Sequence, residues 1–359
     1  MNITPLSPAA FQHSLLRWFK QHGRKQLPWK TDRSPYRIWL SEIMLQQTQV
    51  KTVIPYFGRF VERFPTICAL AAAPIDDVLQ YWAGLGYYAR ARHLHTCAQR
   101  IVADYQGEFP RTLEALQTLP GIGRSTAGAI LAFAFGESAP ILDGNVKRVL
   151  CRVHAQTGWP GLRPIEEALW KIAAQYTPRH QVAEYTQAIM DLGALICKRS
   201  KPDCLICPIQ KHCLAYQQFD PQQFPTPKPK TSKPTRSIRM LLLINDRKEI
   251  LLEKRPASGI WGGLWSLPEC SLTEDIPYFA QTHYGCQPNT KPLLSYPVIA
   301  HSFSHFQLKI HPIQLWIKKW STPAVDSRAL IWYNTEQLTP IALAAPVKKL
   351  LSTLPLQKM

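Results

Sequence analysis

Four cysteines in the middle of the chain lie unusually close together in the sequence. They are Cys197, Cys204, Cys207 and Cys213, with the spacing C-x6-C-x2-C-x5-C. Thiolates joined by such short loops bind a metal ion or a metal cluster more readily than they pair as disulfides. The loop 197–213 is therefore predicted to wrap around one metal centre. The spacing leaves a zinc site with four thiolate ligands and an iron–sulfur cluster both open.

Length and composition limit the class of protein. A chain of 359 residues exceeds what one hydrophobic core usually serves, so two domains are expected. A hydrophobic content of 46% with 18% charged residues is typical of a globular chain. The other five cysteines occur singly, which favours a reducing compartment. No secretory signal and no bilayer-spanning run is recognisable, so we expect a soluble, cytoplasmic protein without membrane contact.

The charge balance is strongly basic. There are 42 Lys and Arg residues against 24 Asp and Glu residues, a formal net charge of +18. Such an excess favours a polyanionic partner, because each phosphate that is contacted releases condensed counterions. The charge alone predicts nucleic acid binding and leaves open a basic surface without that role.

A proline-rich segment divides the chain. Phe224–Met240 contains four prolines and five basic residues but no acidic residue, which predicts an extended, basic linker without helix or sheet. Before this segment the apolar residues follow a helical period. After it, Met240–Ile244 and Ile250–Leu252 read as two strands of a hairpin. Ile313–Ile317 alternates as a further strand, and Val347–Leu354 reads as a closing helix. An all-α half is thus expected to precede an α+β half.

The segment Leu119–Gly128 has the form of a helix–hairpin–helix. Proline ends one helix, and Gly121 and Gly123 permit a tight turn with a close backbone approach. The N–H groups that open the next helix then form a phosphate site, with Arg124 beside it. The alternative is an ordinary helical hairpin that uses glycine only for its turn.

Two carboxylates are candidates for chemistry. Glu42 lies in a helix opened by Ser34-Pro35, and its helical neighbours are apolar, so desolvation should raise its pKa. Asp143 lies where an apolar segment meets a new helix. The alternatives are that Glu42 pairs with an arginine and that Asp143 only caps its helix.

Together these segments resemble the MutY-type adenine DNA glycosylases, of the helix–hairpin–helix superfamily that includes endonuclease III. The resemblance is carried by Leu27–Trp29, Ser41–Thr48, Gly84–Arg90, Leu119–Gly128, Leu142–Arg148, Met190–Ala194 and the four cysteines. It implies one 4Fe–4S cluster rather than zinc. It also implies a multidomain fold, with an all-α helix–hairpin–helix glycosylase core and an iron–sulfur domain in 1–220, then a linker in 221–236. An α+β Nudix-like domain for 8-oxoguanine recognition would occupy 237–359.

The resemblance also implies roles for residues around the flipped adenine. Glu42 would protonate adenine at N7, a step that requires an acid still protonated at neutral pH. Asp143 would stabilise the oxocarbenium-like sugar, with Asn145 positioning it. Gln187 lies where relatives contact the flipped base. Ser125 stands where bifunctional relatives carry a catalytic lysine, so base excision without efficient strand cleavage is expected.

Further roles concern the backbone and the partner base. Lys147 lies near Asp143 and is expected to bind phosphate or to form adventitious adducts. The resemblance places Gln47, Thr48, Leu85 and Tyr87 around the opposite strand, with Tyr87 as a wedge; by itself Tyr87 fits a core aromatic equally well. Phe303, Ser304 and His305 match the 8-oxoguanine reader of the family, although alone they read as an aromatic strand end. The magnesium box of Nudix hydrolases is missing from Cys270–Gly285, so this domain should recognise rather than hydrolyse.

The predicted function is excision of adenine opposite 8-oxoguanine, or more weakly opposite G, from double-stranded DNA in base excision repair. We expect a monomer in the cytoplasm, associated with the nucleoid. Two rivals remain at this stage. An endonuclease III-like glycosylase/lyase would need lysine at position 125, and a non-catalytic mismatch-binding protein would release no base.

Overall fold

The computed structural model describes residues 6–229, 232–321, 329–334 and 341–353. The chain forms two compact units. The first joins the residues up to Ala73 with those from Arg90 to the linker, and the second joins Pro74–Ala89 with the residues after the linker. The expected order of an all-α half and an α+β half is confirmed. The helical segment Pro74–Ala89, which sequence reasoning left in the first domain, groups with the second unit.

The helices up to the linker are α1 (Pro8–His22), α2 (Pro35–Leu45), α3 (Val50–Arg63), α4 (Ile67–Ala72), α5 (Ile75–Trp82), α6 (Ala89–Tyr105), α7 (Leu113–Gln117), α8 (Arg124–Ile130), α9 (Gly144–Val153), α10 (Arg163–Tyr176), α11 (Val182–Asp191) and α12 (Leu214–Gln218). The helix α2 opens at Ser34-Pro35 as predicted, and the Ser34 hydroxyl accepts a hydrogen bond from the Arg37 amide at 3.4 Å. Proline suits this first turn because its missing N–H would have no helical partner there. Turns of π-helix continue α8 (Leu131–Phe135) and α11 (Leu192–Ile196).

Apolar faces of these helices form the core of the first unit. Phe11 and Leu15 of α1 are fully buried and belong to one cluster with Val149 of α9 and Ile189 of α11. Each buried aliphatic or aromatic side chain of this kind stabilises the folded state by about 1.5–3 kcal/mol. The same packing fixes α9 and α11, from which several site residues project.

The strands of the second unit are β1 (Thr235–Ile244), β2 (Ile250–Lys254), β3 (Trp265–Ser266), β4 (Glu269–Cys270), β5 (Cys286–Pro288), β6 (Leu294–Ser295), β7 (Ile299–Ser302), β8 (Gln307–Trp320) and β9 (Leu330–Tyr333). Its helices after the linker are α13 (Ile276–Tyr284) and α14 (Ala345–Thr353). The main path of the sheet runs β3-β2-β1-β8-β5, and β1 and β8 are parallel. The predicted hairpin is confirmed, since Ile244 pairs with Ile250 in antiparallel register.

The segment predicted to be a linker without helix or sheet extended too far at its C-terminal end. Strand β1 starts at Thr235, directly after the last proline of the segment, and pairs with Gln307 of β8. Proline cannot donate to a strand ladder, and from Thr235 onward every amide is able to do so. The closing helix is confirmed from Ala345 to Thr353, while its predicted last residue, Leu354, lies outside the described residues.

The alternation predicted for Ile313–Ile317 is only partly right. Leu315 and Ile317 are buried, but Gln314 between them is 1% exposed. Its side-chain oxygen accepts a hydrogen bond from the Tyr296 hydroxyl at 2.5 Å. Polar residues of this strand are therefore not all on an exposed face. Across the described part of the chain, the helices are too short or too polar to cross a bilayer.

Candidate active site

A cavity of about 630 Å³ in the first unit collects residues from distant parts of the sequence. Its walls include six of the predicted site residues, namely Glu42, Thr48, Ser125, Asp143, Asn145 and Gln187. Glu42 lies in α2, Ser125 in α8, Asn145 in α9 and Gln187 in α11. Asp143 is the N-cap of α9, and Thr48 lies between α2 and α3. A cavity of this size accommodates a ligand of a few hundred cubic ångströms.

Glu42 enters the cavity from the apolar face of α2. Its neighbours Ile38 and Trp39 are 4% and 0% exposed. Desolvation, and to a smaller extent the negative charge of Asp143, raises the pKa of Glu42 to about 8, against the opposing charge of Lys30. None of the ion pairs among the described residues includes Glu42, so the alternative of an arginine partner finds no support there. At neutral pH this carboxyl group retains its proton.

Asp143 meets different surroundings in the same cavity. Its Oδ1 accepts a hydrogen bond from the Val146 amide at 2.8 Å, which caps α9. The Asn145 side chain donates to Oδ2 at 3.4 Å. Desolvation raises the pKa of Asp143, while these hydrogen bonds and the Arg148 charge act in the opposite direction. The capping role is therefore real, and it coexists with a place on the cavity wall.

Two further contacts fix the segment around Asp143. The Ser125 hydroxyl accepts a hydrogen bond from the Leu142 amide at 3.0 Å, so it holds the residue before Asp143. Arg148 donates to the Asn145 side-chain oxygen at 2.8 Å and to the Cys197 carbonyl at 2.7 Å. The orientation of Asn145 is thus tied to the backbone of the first clustered cysteine.

The residues after α2 differ in their positions. Gln47, which is predicted to lie near the opposite strand, is exposed, has a left-handed backbone with φ of 56°, and is absent from the cavity wall. Gln46 lies on the wall, and its amide donates to the Thr126 hydroxyl at 3.4 Å. Thr48 is also on the wall and accepts a hydrogen bond from Arg90 at 3.1 Å.

Gln187 is 6% exposed and lines the cavity from α11. Its side-chain nitrogen donates to Asp191 Oδ1 at 2.8 Å. Asp191 is itself fully buried and paired with Arg24, at 2.6 Å between Oδ1 and Nη2. The amide nitrogen of Gln187 is therefore held by Asp191, while the side chain borders the cavity.

The hairpin residues take the expected backbone conformation. Gly121 has φ of +79°, which suits glycine because a Cβ there is strained, while Gly123 is the N-cap of α8. The Arg124 guanidinium stacks over the Trp170 ring at 4.0 Å. The predicted phosphate ligand Lys147 pairs with Glu166 at 2.6 Å, so its charge is partly compensated.

The four clustered cysteines line one small cavity, as the spacing predicts. Buried Arg152 donates from Nη1 to Cys197 Sγ at 3.2 Å, and Cys213 Sγ contacts the Arg152 carbonyl at 3.4 Å. No three His, Cys, Asp or Glu side chains of the described ranges lie close enough to hold a single metal ion. A four-iron cluster takes one thiolate at each iron, so four cysteines that line one cavity suit such a cluster.

The remaining predicted recognition residues belong to the second unit. Leu85 is buried, and Tyr87 is 55% exposed with φ of 48°, so Tyr87 is not a core aromatic. Phe303, Ser304 and His305 form the tip between β7 and β8. The Phe303 ring stacks on Phe306 at 4.6 Å, and Ser304 and His305 are exposed. The stacked aromatic rings thus lie beneath two polar side chains that are exposed at the surface.

Sequence reasoning missed the residues that orient the site. They are Arg24, Lys30, Gln46, Arg90, Arg148 and Asp191. Arg148 was detectable because it follows Asn145 by one helical turn. Arg24 and Asp191 are 167 residues apart, and no local pattern indicates their pairing.

Comparisons with known proteins identify relatives of this chain. A family model described as "HhH-GPD superfamily base excision DNA repair protein" matches residues 40–175, and a NUDIX domain model matches 239–353. The adenine DNA glycosylase of Buchnera aphidicola subsp. Baizongia pistaciae (strain Bp) is 39% identical over 347 residues, 97% of each chain. The human adenine DNA glycosylase is 33% identical over 95% of this chain and 73% of its own length. A solved structure of a thermostable thymine-DNA glycosylase superposes with a TM-score of 0.53 and 28% identity, covering 58% of this chain and 96% of that one.

Proposed function

The chain belongs to the adenine DNA glycosylases, helix–hairpin–helix enzymes of base excision repair, and from this premise we propose its finer specificity and mechanism. It removes adenine paired with 8-oxoguanine, and more weakly adenine paired with G, from duplex DNA. It hydrolyses the N-glycosidic bond without cutting the strand. The observation that carries the proposal is a cavity shared by the carboxyl groups of Glu42 and Asp143, in which Asp143 accepts hydrogen bonds that favour its anion while Glu42 lies on an apolar helix face.

The first chemical step is protonation of the leaving group. Adenine is a poor leaving group as an anion, and a proton at N7 lets it depart neutral when the bond between N9 and C1′ breaks. The electron pair of that bond goes to the base. Glu42 is the donor, supported by desolvation that holds its pKa at about 8. The target adenine reaches Glu42 only after it is flipped from the duplex.

The second step stabilises the sugar. Loss of the base leaves positive charge on the ribosyl ring, which an ionised carboxylate shields or captures covalently. Asp143 fills this role, supported by the Val146 and Asn145 hydrogen bonds that favour its anionic form. Water then adds its oxygen at C1′, and Glu42 takes the proton that water releases. The acid is thereby restored for the next substrate.

Strand cleavage requires an amine that forms a Schiff base with the sugar aldehyde. Ser125 occupies the position at which lyase relatives carry lysine, and its hydroxyl cannot do this. The hydroxyl instead supports the backbone before Asp143. The amine of Lys147 is occupied by its ion pair with Glu166. The product is therefore an intact strand with one abasic site.

Contacts to DNA come from both units in this proposal. The turn at Gly121 and Gly123 binds phosphate with backbone amides, while Arg124 and Lys147 add positive charge. Gln47, Thr48 and Leu85 lie around the partner strand, and the exposed ring of Tyr87 wedges beside the lesion. The tip formed by Phe303, Ser304 and His305 reads 8-oxoguanine through its polar groups. The protein acts as a monomer.

The cysteine loop fits one 4Fe–4S cluster, with Cys197, Cys204, Cys207 and Cys213 as its four ligands. The donor set consists of thiols alone, and the buried Arg152 guanidinium beside Cys197 suits a centre of net negative charge. When bound, the cluster supplies a structural centre for the loop rather than acid–base chemistry. Iron and sulfide analysis of purified protein, with Cys204→Ser as the comparison, tests this assignment.

The decisive experiment incubates the protein with duplexes carrying A:8-oxoguanine, A:G, A:T or a damaged pyrimidine. Each reaction is analysed with and without alkali, which cuts abasic sites. Breaks that appear only after alkali, and only for the two adenine mispairs, support the proposal. Direct nicking indicates a lyase, and tight binding without any product indicates a mismatch-binding protein; either result contradicts it.

A further inference from the structure

The segment Pro74–Ala89 comes before the linker in the sequence but groups with the second unit. It carries the proposed wedge, Tyr87, and the same unit carries the tip between β7 and β8. We propose that the loop 255–264 holds Tyr87 and this tip at a fixed spacing, so that insertion of the wedge depends on the partner base that the tip contacts. Residues of this loop and of α5 are then positioning residues. The inference rests on the proposed function, which supplies the roles of the wedge and of the tip.

The loop 255–264 joins β2 to β3 and is closed by backbone hydrogen bonds. The Arg255 amide donates to the Leu264 carbonyl at 2.8 Å. The Gly263 amide donates to the carbonyls of Arg255 and Pro256 at 3.2 and 3.1 Å, and the Leu264 amide donates to the Trp261 carbonyl at 2.9 Å. Rearranging the loop would break several of these bonds at once. Positions 261 and 263 therefore keep their spacing.

Trp261 connects the loop to the tip. Its ring centroid lies 5.4 Å from that of Phe303 and 5.5 Å from that of His301, and the residue is 7% exposed. Aromatic rings at such distances attract each other beyond their loss of exposed area. The backbone of Trp261 has φ of 54°, a conformation that bulky residues rarely adopt. A conformation of this kind persists only where the surrounding contacts hold it, so the packing of Trp261 against the tip is well determined.

Gly263 connects the same loop to the wedge segment. A Cβ on Gly263 would lie 3.1 Å from Leu79 Cδ1, so this leucine of α5 packs directly on the glycine backbone. Leu79 is 1% exposed. Trp82, which lies three residues later in α5, donates from Nε1 to the Gly86 carbonyl at 3.1 Å, and Gly86 directly precedes Tyr87. Contacts within the second unit thus lead from the tip to the wedge.

An ion pair also fastens the start of α5 to the end of β2. Lys254 Nζ lies 2.6 Å from Asp76 Oδ2. A fixed spacing matters because a second contact costs less ordering when the first contact has already positioned it. When the tip holds 8-oxoguanine, Tyr87 is therefore brought to the neighbouring base stack. The tip holds guanine less firmly, so the wedge is positioned less often.

The test measures wedge insertion separately from base release. A 2-aminopurine beside the partner base fluoresces more strongly when a side chain opens the stack, and the Glu42→Gln background keeps the duplex intact. At saturating protein we expect the increase with A:8-oxoguanine to exceed that with A:G about fivefold, the lower end of usual coupling between sites. Leu79→Ala should reduce this ratio below about twofold, because the contact with Gly263 is lost. Leu70→Ala, which removes another buried leucine from α4 of the first unit, is the control and should preserve the ratio. Equal losses in the two variants would indicate general destabilisation and overturn the inference.

An exchange of charges keeps the inference testable if Leu79→Ala does not fold. Asp76→Lys sets two positive charges against each other and should lower the fluorescence ratio, whereas adding Lys254→Asp restores an ion pair in the reverse order and should restore the ratio. An exchange that restores nothing would overturn the link, as would equal increases for the two duplexes in the Glu42→Gln background alone. Wild-type protein that releases no adenine, or an increase that survives Tyr87→Ala, would instead refute the proposed function itself. The two failures are therefore distinguishable.

Discussion

Glu42 and Asp143 are chemically similar groups in one cavity, and their contacts separate them. Asp143 receives hydrogen bonds from Val146 and Asn145, which favour the anion. Glu42 sits on an apolar helix face, where desolvation and the charge of Asp143 favour the neutral acid. Hydrogen bonds offset desolvation at Asp143, whereas desolvation dominates at Glu42, and two carboxyl groups in such unequal surroundings are suited to cleavage of glycosidic bonds.

Replacing Glu42 by glutamine tests the acid directly. Glutamine has nearly the same shape but cannot release a proton to the base, so excision from an A:8-oxoguanine duplex should fall at least 100-fold. Binding of the same duplex should remain within about threefold. Single-turnover kinetics and a mobility-shift titration measure the two effects. A variant that retains the wild-type rate would remove Glu42 from its proposed role.

The raised pKa of Glu42 predicts how the rate depends on pH. Excision requires the protonated acid, so the rate should be constant below pH 7 and fall as the pH rises through about 8. Rates measured at saturating enzyme between pH 6 and 9.5 test this prediction. A rate that already falls about tenfold per pH unit from pH 6 upward, as an acid with the ordinary glutamate pKa of 4.5 would give, would contradict it.

The same pKa predicts a change in stability. The folded state keeps a proton that the unfolded chain releases above about pH 4.5. The contribution of Glu42 to the free energy of unfolding is therefore complete below that pH and is lost as the pH rises through about 8. The Glu42→Gln variant has no titrating group at this position, so its free energy of unfolding does not fall for this reason. Its stability relative to wild type should thus increase with pH, by on the order of 1 kcal/mol per pH unit in that window, as urea denaturation can measure.

The contact between α9 and the π-helical turn after α11 shows how helices position the site. A Cβ placed on Gly193 would lie 2.6 Å from Asn145 Cβ and 3.1 Å from its Cα. Arg148 spans the same contact, because it donates to the Gly193 carbonyl at 2.6 Å and to Asn145. The absence of a side chain at 193 lets the two backbones approach closely enough for this network.

Gly193→Ala should therefore damage both stability and rate. The added methyl group must push α9 away from the turn, at a cost of about 1–3 kcal/mol, and Asn145 moves with it. Urea denaturation and single-turnover kinetics measure the two effects. Gly58→Ala is the matched control, since a Cβ there has nothing within 4 Å and alanine favours the interior of α3 by up to about 1 kcal/mol. If the two alanine variants behave alike, the contact with Asn145 has no importance.

Local patterns in the sequence account for much of this architecture. The Ser34-Pro35 start of α2, the helix after Asp143 and the hairpin at Asn245 each depend on a few adjacent residues, and all are confirmed. The start of β1 was missed because its pairing with β8 joins residues some 70 positions apart. The Arg24–Asp191 ion pair was not predicted for the same reason, since contacts between residues far apart in the sequence leave no periodic pattern.

The whole molecule combines two units that are proposed to have separate tasks. The helical unit carries the cavity with Glu42 and Asp143, whereas the tip between β7 and β8 belongs to the second unit. The confirmed Nudix match in 239–353 contains that tip. If the tasks are separate, a change at the tip should alter the choice of partner base without altering the chemistry at adenine.

Ser304→Ala tests this separation, because Ser304 is exposed at the tip and its hydroxyl lies 3.3 Å from His305 Nδ1. Losing one hydrogen bond to 8-oxoguanine should cost about 1–1.5 kcal/mol, or roughly tenfold in the preference for A:8-oxoguanine over A:G. The single-turnover rate on A:G should stay within twofold of wild type. Ser295→Ala in β6 is the control and should leave both rates unchanged. Equal losses on the two duplexes would mean that Ser304 supports the fold of the unit and reads no lesion.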